Sequence, residues 1–320
     1  MDKDKFVGWN MYLIIVNPKA GRGLSILRLP VLTSFLDSRK ISYEVHITTK
    51  PNDGYVQTLA FLRRSTCMGV IGLGGDGIIQ EIVTAMVDAY PRAQLGEKIP
   101  IPLGILPTGS CNDFVSTLED VKYSPKERYK PNPKAIIEKF VDRVLSRNLK
   151  QIDVITANQQ AFINIGHVGL DTLNAMLAQK YHQKFDEYAY WIGALEGIIK
   201  YKTTPLIIET EKEKLEGRYT LLAVCNGKYY GFGVMISPSA ELDDGIMNLT
   251  VVDTISKIAA AISLYKLAKK NYQSLKQVKF LTCKELRLTV PATTLCLDGN
   301  FYPVEGVINF KVLPRVLELF

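Results

Sequence analysis

Two domains of different class are predicted for this 320-residue chain, a doubly wound α/β domain followed by an antiparallel β-sandwich with a helical insertion. Three observations predict them. The first half alternates short apolar runs with helix-period segments, the pattern that builds a parallel sheet. Three of those runs end in glycine-containing turns, Asn17 to Gly23, Gly74 to Gly77 and Pro107 to Asp113. Beyond Lys150 the pattern changes to closely spaced short strands, the sign of a sandwich or barrel. The expected domains are 1–150 and 151–320.

Met11 to Val16 is an uninterrupted apolar run and reads as a buried strand, Leu24 to Ser38 as a helix, Tyr43 to Ile47 as a strand and Gly54 to Arg64 as a helix. Met68 to Leu73 is the next strand. After Gly74-Gly75-Asp76-Gly77 comes a helix, Ile78 to Val87, with apolar residues at Ile78, Ile79, Ile82, Val83 and Met86. Ile101 to Leu106 is a short strand closed by Pro107, followed by Thr108-Gly109-Ser110-Cys111-Asn112-Asp113. A glycine turn between strand and helix aims backbone N–H groups and the positive end of the helix at an anion, and removes the side chain that would hold a phosphate away. Ligands of such sheets bind beyond the carboxyl ends of the strands, where all three turns fall. Asn17, Gly74, Gly75, Asp76, Gly77, Thr108, Gly109, Ser110, Asn112 and Asp113 are therefore the candidate nucleotide-binding residues. Lys122 to Pro133 is polar, and Pro133 to Asn148 reads as a helix that closes the domain.

In the second half, Gln151 to Ala157, Gln160 to Ile165, Leu206 to Glu209, Tyr219 to Cys225, Met247 to Val252, Leu286 to Val290, Thr294 to Leu297 and Val307 to Leu313 read as strands. Asp171 to Lys202 interrupts them with a helical, aromatic-rich stretch, either a packed cap or a lid over an apolar ligand. From Lys257 to Arg287 there are eight basic residues against one acid, Glu285. Ile258, Ile262 and Tyr265 share a helix face there, with Lys266, Lys269 and Lys270 toward its end. Such a helix suits a membrane surface, and equally a solvated helix whose lysines complement its dipole.

A net charge of +7 with 47% hydrophobic and 22% charged residues fits a globular protein with an anionic partner. Five scattered cysteines without a CxxC pair argue for reduced thiols in the cytoplasm, and three scattered histidines argue against a zinc site. Neither a leader peptide nor a span-length apolar stretch is visible, so the expected location is cytoplasmic and peripheral to a membrane. Nucleic acid is not an expected partner. An exposed apolar strand in the second domain would pair across a two-fold axis to give a homodimer.

The motif series resembles the diacylglycerol kinase catalytic fold shared by bacterial lipid kinases, sphingosine kinases and ceramide kinases. It runs through Asn17-Pro18-Lys19-Ala20-Gly21 (similar to NPxxG), Gly74 to Gly77 (GGDG), Pro107 to Asp113 (PxGTxND), Ile152-Asp153, Phe162 to Gly166, Val168 to Asp171, Ser237 to Gly245 and Leu297-Asp298-Gly299. GGDG alone is weak, since NAD kinases and phosphofructokinases carry similar loops; the ordered series is specific. The resemblance implies ATP and Mg²⁺ in a cleft between domains, a lipid alcohol approaching from the second domain, and phosphoryl transfer. It assigns Asp298 as general base and Asp76 as a second catalytic carboxylate, for Mg²⁺ or for orienting the hydroxyl. Asp113 and Asp153 match acids around the cleft, and Asp244 matches a loop holding a structural Mg²⁺ with carbonyls such as those of Glu241 and Ile246.

Three departures stand out: Ile78 where GGDGT has threonine, Asn300 where DGE has glutamate, and Phe232 within the usual GGG run. They motivate a second reading, a nucleotide- or lipid-binding regulator that has lost catalysis. A soluble NAD or sugar kinase is disfavoured because such loops come without the Asp244 and Asp298 series. Taken singly, Asp298-Gly299 is also a favoured hairpin turn, and Asp153 a strand-end cap.

Overall fold

Strand and helix alternate from Met11 to Pro107 as β1 (Met11–Val16), α1 (Leu24–Ser38), β2 (Tyr43–Ile47), α2 (Asp53–Arg64), β3 (Cys67–Gly74), α3 (Asp76–Ala89) and β4 (Leu103–Pro107). The chain continues through α4 (Asp113–Leu118) and α5 (Pro133–Ser146). The computed structural model describes residues 11–64, 67–119, 133–185, 189–231, 233–268 and 277–320. They divide into two units, the first made of 11–110, 133–152 and 315–320, the second of 111–119 and the described residues of 153–314. The chain thus passes between units after Ser110, between 119 and 133, after Ile152 and after Pro314.

Unit 1 is a parallel sheet in the order β2-β1-β3-β4, extended by Leu319 of the C-terminal strand, which pairs with Leu103. Ile14 pairs with Val45 on one side and Ile71 on the other, and Leu73 pairs with Leu106. Strands covered on both faces need no polar alternation, which is why β1, β3 and β4 are continuously apolar while the edge strand β2 carries Glu44 and His46. Ile14, Val16, Ile71 and Leu73 pack with Leu32 and Leu36 of α1 and with Ile137, Phe140 and Val141 of α5. On the opposite pleat Ile79 and Ile82 of α3 lie over Gly72. Helices on both faces are the doubly wound arrangement.

Unit 2 is built on antiparallel pairs. After β5 (Lys150–Ala157), β6 (Gln160–Phe162) and β7 (Ile165–Gly169) come α6 (Leu170–Phe185), α7 (Ala189–Lys200), β8 (Thr204–Thr210), β9 (Lys214–Cys225), β10 (Tyr229–Tyr230), β11 (Val234–Met235) and β12 (Met247–Asp253). Then follow α8 (Lys257–Ala268), β13 (Val278–Cys283), β14 (Glu285–Leu297) and β15 (Asn300–Leu319). The long strands β9 and β14 are bridged by β7 near one end and β8 near the other. Period-two alternation sorts β9: Leu222 and Val224 join a core with Phe162, Leu249, Leu288 and Phe310, whereas Leu221, Ala223 and Cys225 face Ile165, Tyr230 and Ile236 on the other side. All five cysteines are free, as expected.

Three strand expectations are corrected. Gln160 to Ile165 is not one strand: it breaks between Phe162 and Ile165, because the N–H groups of Ile163 and Asn164 turn to the Asp298 carboxylate instead of a ladder. Leu286 to Val290 and Thr294 to Leu297 form one strand, since an irregularity between Val290 and Thr293 absorbs Pro291 without ending the pairing with β15. In the basic segment, α8 is followed by a strand, β13, paired with β12. Its half-polar sequence, with Lys279 and Phe280 exposed, hid it within the charge run. Tyr265's side chain, Lys269, Lys270, Lys276 and Phe232 lie outside the described residues, as do Lys122 to Tyr129.

Candidate functional site

In unit 1 the three glycine turns are fastened to one another by backbone groups. Asn17 N donates to Leu73 O at 3.0 Å, and Thr108 N and Gly109 N both donate to Gly74 O, at 2.8 and 3.1 Å. From α1, the Ser25 hydroxyl donates to Asn17 O, and the buried Arg28 guanidinium donates to Pro107 O at 2.8 Å. Gly21, at φ 55°, lies so close to the third turn that a Cβ there would stand 2.1 Å from Thr108 O. Gly75 likewise approaches Gly109, with 3.1 Å from a hypothetical Cβ to the Gly109 Cα. Gly75 is the N-cap of α3 and brings no side chain, so the first-turn amides and the dipole's positive end stand at the carboxyl end of β3. Asn17, Gly74, Gly75, Asp76, Gly77, Thr108, Gly109 and Ser110 are thus assembled in one place. Ile78 is buried and its side chain packs against Gly54 and Gly74. Its substitution for a threonine therefore fills core space.

The Pro107 to Asp113 motif is divided, because Cys111, Asn112 and Asp113 belong to unit 2. Asn112, at φ 50°, is the N-cap of α4. Asp113 accepts from Gly233 N at 3.0 Å, and Thr117 accepts from Lys228 N at 3.1 Å. Thr117 also reaches Asn164 Oδ1 at 3.4 Å, and Asn164 Nδ2 donates to Tyr229 O.

Asp298 belongs to the same network. Its carboxylate accepts from Ile163 N at 2.9 Å, from Ile165 N at 2.8 Å and from Asn164 N at 3.2 and 3.3 Å, and only 6% of the residue is exposed. Asp298 and Gly299, at φ 46° and 91°, form the two-residue turn between Leu297 and its partner Asn300. Both central residues at positive φ is the type I′ signature, so the turn and the carboxylate anchor are one feature. Asp153 is fully buried and accepts from Gly245 N at 2.6 Å, tying down the loop that carries Asp244. Burial, with the charges of Glu241 and Asp243, raises the Asp244 pKa, against a hydrogen bond from Ile246 N. Among the described residues, no three His, Cys, Asp or Glu side chains converge to hold a metal.

Sequence reasoning left the helical insertion as cap or lid and did not single out the pocket it helps to form. Leu170, Asp171 and Asn174 of α6, Ile198 of α7, and Ala259, Ala260 and Ser263 of α8 cover one face of β9 and β12, enclosing a narrow, mainly apolar pocket of about 100 Å³. Tyr230 donates to Asp171 at 2.6 Å, and Asn174 Oδ1 is buried with no partner among the described residues. His167 Nδ1 lies 3.1 Å from the Thr172 hydroxyl. The mixed helical and aromatic pattern of 171–202 was the available signal; the polar wall depends on pairing from distant strands.

Burial pushes the Asp171 carboxyl up to about 6 and His167 down to about 4. A carboxyl raised above its unfolded value of ~3.9 stabilises the fold fully below that pH and loses the contribution as pH rises through about 6. His167, lowered from ~6.5, contributes above that pH and loses it as pH falls through about 4. The two slopes oppose each other. Asp171→Asn is expected to exceed wild type in stability at pH 8 by up to about 3 kcal/mol, with the difference closing below about pH 4. Urea denaturation across pH checks this; a pH-independent difference contradicts it.

Residues 11–157 match the family described as diacylglycerol kinase catalytic domain, and residues 165–320 match the YegS C-terminal NAD kinase beta sandwich-like domain. A probable lipid kinase YegS-like from Shewanella frigidimarina is 28% identical over 251 residues, 78% of this chain and 74% of the relative. A diacylglycerol kinase from Staphylococcus saprophyticus is 24% identical over 317 residues, 96% and 94% of the two chains. The fold is similar to the crystal structure of a putative diacylglycerol kinase from Bacillus anthracis, with TM-score 0.68 and 21% identity over 97% of this chain and 96% of that one.

Proposed function

The chain belongs to the diacylglycerol kinase family and is a lipid kinase, and from that premise we propose that it transfers the γ-phosphoryl group of ATP to the hydroxyl of diacylglycerol or a closely related lipid alcohol at a membrane surface. The observation that carries the nucleotide half is the fastening of three glycine turns around the end of β3. These residues fit a phosphate chain: glycines stand where a Cβ would intrude, and the buried Thr108 hydroxyl has no partner among the described residues and would suit a ligand oxygen. Bound ATP with Mg²⁺ supplies the phosphoryl group and neutralises part of its charge.

The protein's own contribution is positioning and proton handling. Amides of Gly74 to Gly77 and of Ser110 would hold phosphate oxygens, those of Thr108 and Gly109 being engaged by Gly74 O, with Asn17 reaching from the first turn. Asp76 would hold the cation or orient the hydroxyl. Asn112 and Asp113 lie in unit 2, where Asp113 accepts from Gly233 N. Asp298 would take the hydroxyl proton, its carboxylate held in place by three amides. A structural Mg²⁺ at Asp244 would rest on that one carboxylate and loop carbonyls, a donor set of the oxygen type that a hard cation takes. The apolar pocket of unit 2 suits a lipid chain.

Purified protein with Mg²⁺, γ-labelled ATP and mixed micelles of several lipid alcohols is expected to label diacylglycerol, and Asp76→Ala to cut the rate on the order of 100-fold. No labelled lipid in any micelle overturns the reading. Turnover above that of the Asp76→Ala control would exclude the second reading, a catalytically silent nucleotide- or lipid-binding regulator, the role that Asn300 in place of glutamate would suit.

A further inference from the structure

Asn164 uses each of its polar groups to hold another element in place. Its backbone N–H donates to the Asp298 carboxylate at 3.2 and 3.3 Å, and its carbonyl accepts from Asn226 N and Gly227 N at 2.8 and 3.0 Å. In the side chain, Nδ2 donates to Tyr229 O at 3.0 Å, and Oδ1 lies 3.4 Å from the Thr117 hydroxyl of α4. A peptide carbonyl only accepts, so Tyr229 O fixes which end of the amide faces it and leaves Oδ1 turned to α4. Thr117 Oγ1 in turn accepts from Lys228 N at 3.1 Å and Tyr229 N at 3.3 Å. Its own proton has two acceptors in reach, Asn164 Oδ1 and, at 3.3 Å, Asp113 O. The carbonyl four residues back already serves the helix's own ladder, so the proton goes to Asn164.

Gly227 supplies an observation independent of these bonds. A Cβ there would stand 1.9 Å from Asn164 Oδ1 and 2.9 Å from Thr117 Oγ1, and no positive φ reserves the position for glycine. The missing side chain leaves room for the contact between Asn164 and Thr117. Both residues are buried, so the amide has no open space into which to retreat.

We propose that Thr117 and Asn164 are positioning residues, which hold the Asp298 carboxylate in register with α4, the helix that begins beside Asn112 at Asp113. This rests on the lipid-kinase reading above, in which Asp298 takes the hydroxyl proton and Asn112 and Asp113 end the nucleotide motif. Bonds from the Asn164 side chain orient the peptide whose N–H holds the carboxylate, so losing them displaces the base. Proton transfer tolerates little displacement, since a shift of roughly 1 Å costs on the order of 100-fold in rate.

Steady-state kinetics on the full chain, with Mg²⁺, ATP and diacylglycerol in micelles, test this at a temperature well below each variant's unfolding. Thr117→Val keeps the shape and removes the hydroxyl; it is expected to lower kcat about ten- to 100-fold with KM for ATP and lipid little changed, and Thr117→Ser to restore the rate. Gly227→Ala retains both polar groups but pushes the amide aside, and the same loss is expected. In an Asp298→Asn background neither Thr117→Val nor Gly227→Ala is expected to change kcat by more than about twofold, because the base they position is gone. Either variant completes this comparison if the other fails to fold. Losses that multiply in the double variants overturn the proposal, as do wild-type kcat in Thr117→Val, a raised KM with kcat intact, or a Thr117→Ser protein as slow as Thr117→Val. An Asp298→Asn protein with wild-type kcat overturns it too, there being no base to position. No labelled lipid from the unsubstituted protein refutes the kinase reading itself, and the role of the pair with it.

Discussion

Asp298→Ala is expected to cost the protein both its activity and a large part of its stability. Three buried N–H groups, of Ile163, Asn164 and Ile165, donate to this one carboxylate, and alanine leaves all three without their acceptor. At about 1 kcal/mol or more for each orphaned group, the loss is on the order of 3 to 5 kcal/mol, visible as a lowered urea midpoint. Alanine also tolerates φ 46° less well than aspartate. Asp298→Asn separates anchoring from chemistry. Its amide keeps one acceptor oxygen but turns an NH₂ toward peptide donors, so a smaller stability loss is expected. If the carboxylate takes the hydroxyl proton, kcat falls about 10²- to 10⁴-fold with KM little changed. An Asp298→Asn protein with wild-type kcat would leave Asp298 as an anchor alone.

Gly21→Ala should disable nucleotide binding through a residue that carries no functional group. The added Cβ would stand 2.1 Å from Thr108 O, and that oxygen belongs to backbone, which has no rotamer to escape into. The residue also sits at φ 55°, where a side chain costs roughly 1 kcal/mol or more. The first and third turns must separate, and ATP affinity measured by titration calorimetry is expected to fall at least about tenfold, with modest loss of global stability. Gly96→Ala is the matched control: it shares a positive φ, 88°, but has nothing within 4 Å of the added carbon. Equal effects from the two would place the whole cost in backbone conformation and none in the contact between turns.

The α/β half was the more legible in the amino-acid sequence. Strands covered on both faces read as uninterrupted apolar runs, and β1, α1 and β2 fall on the residues that periodicity indicates. The glycine turns were visible because glycine is informative where chains approach closely. Unit 2 was less legible because its strands are defined by partners far away in the chain. Nothing local to Ile163 and Asn164 says that their amides will leave the ladder for Asp298, and β13, with Lys279 and Phe280 exposed, has only one alternating half-pattern to show. Asp171 illustrates the same limit for the site. Its motif position was readable, but its pairing with Tyr230 depends on the first turn of α6 meeting β10. The division of Pro107 to Asp113 between units was likewise invisible, since it is a property of contacts and leaves no trace in composition.

The return of residues 315–320 to unit 1 has a temporal meaning. Val316 accepts from Ile99 N, Phe320 N donates to Leu103 O, and the Phe320 ring packs beside Tyr12 at 5.9 Å between centroids. During synthesis the N-terminal sheet therefore waits, with one edge of β4 unpaired, until everything between has been made. Such long-range closure slows folding. Until residues 315–320 have been made, the open strand edge beside apolar surface is the part of the nascent chain most exposed to wrong pairing.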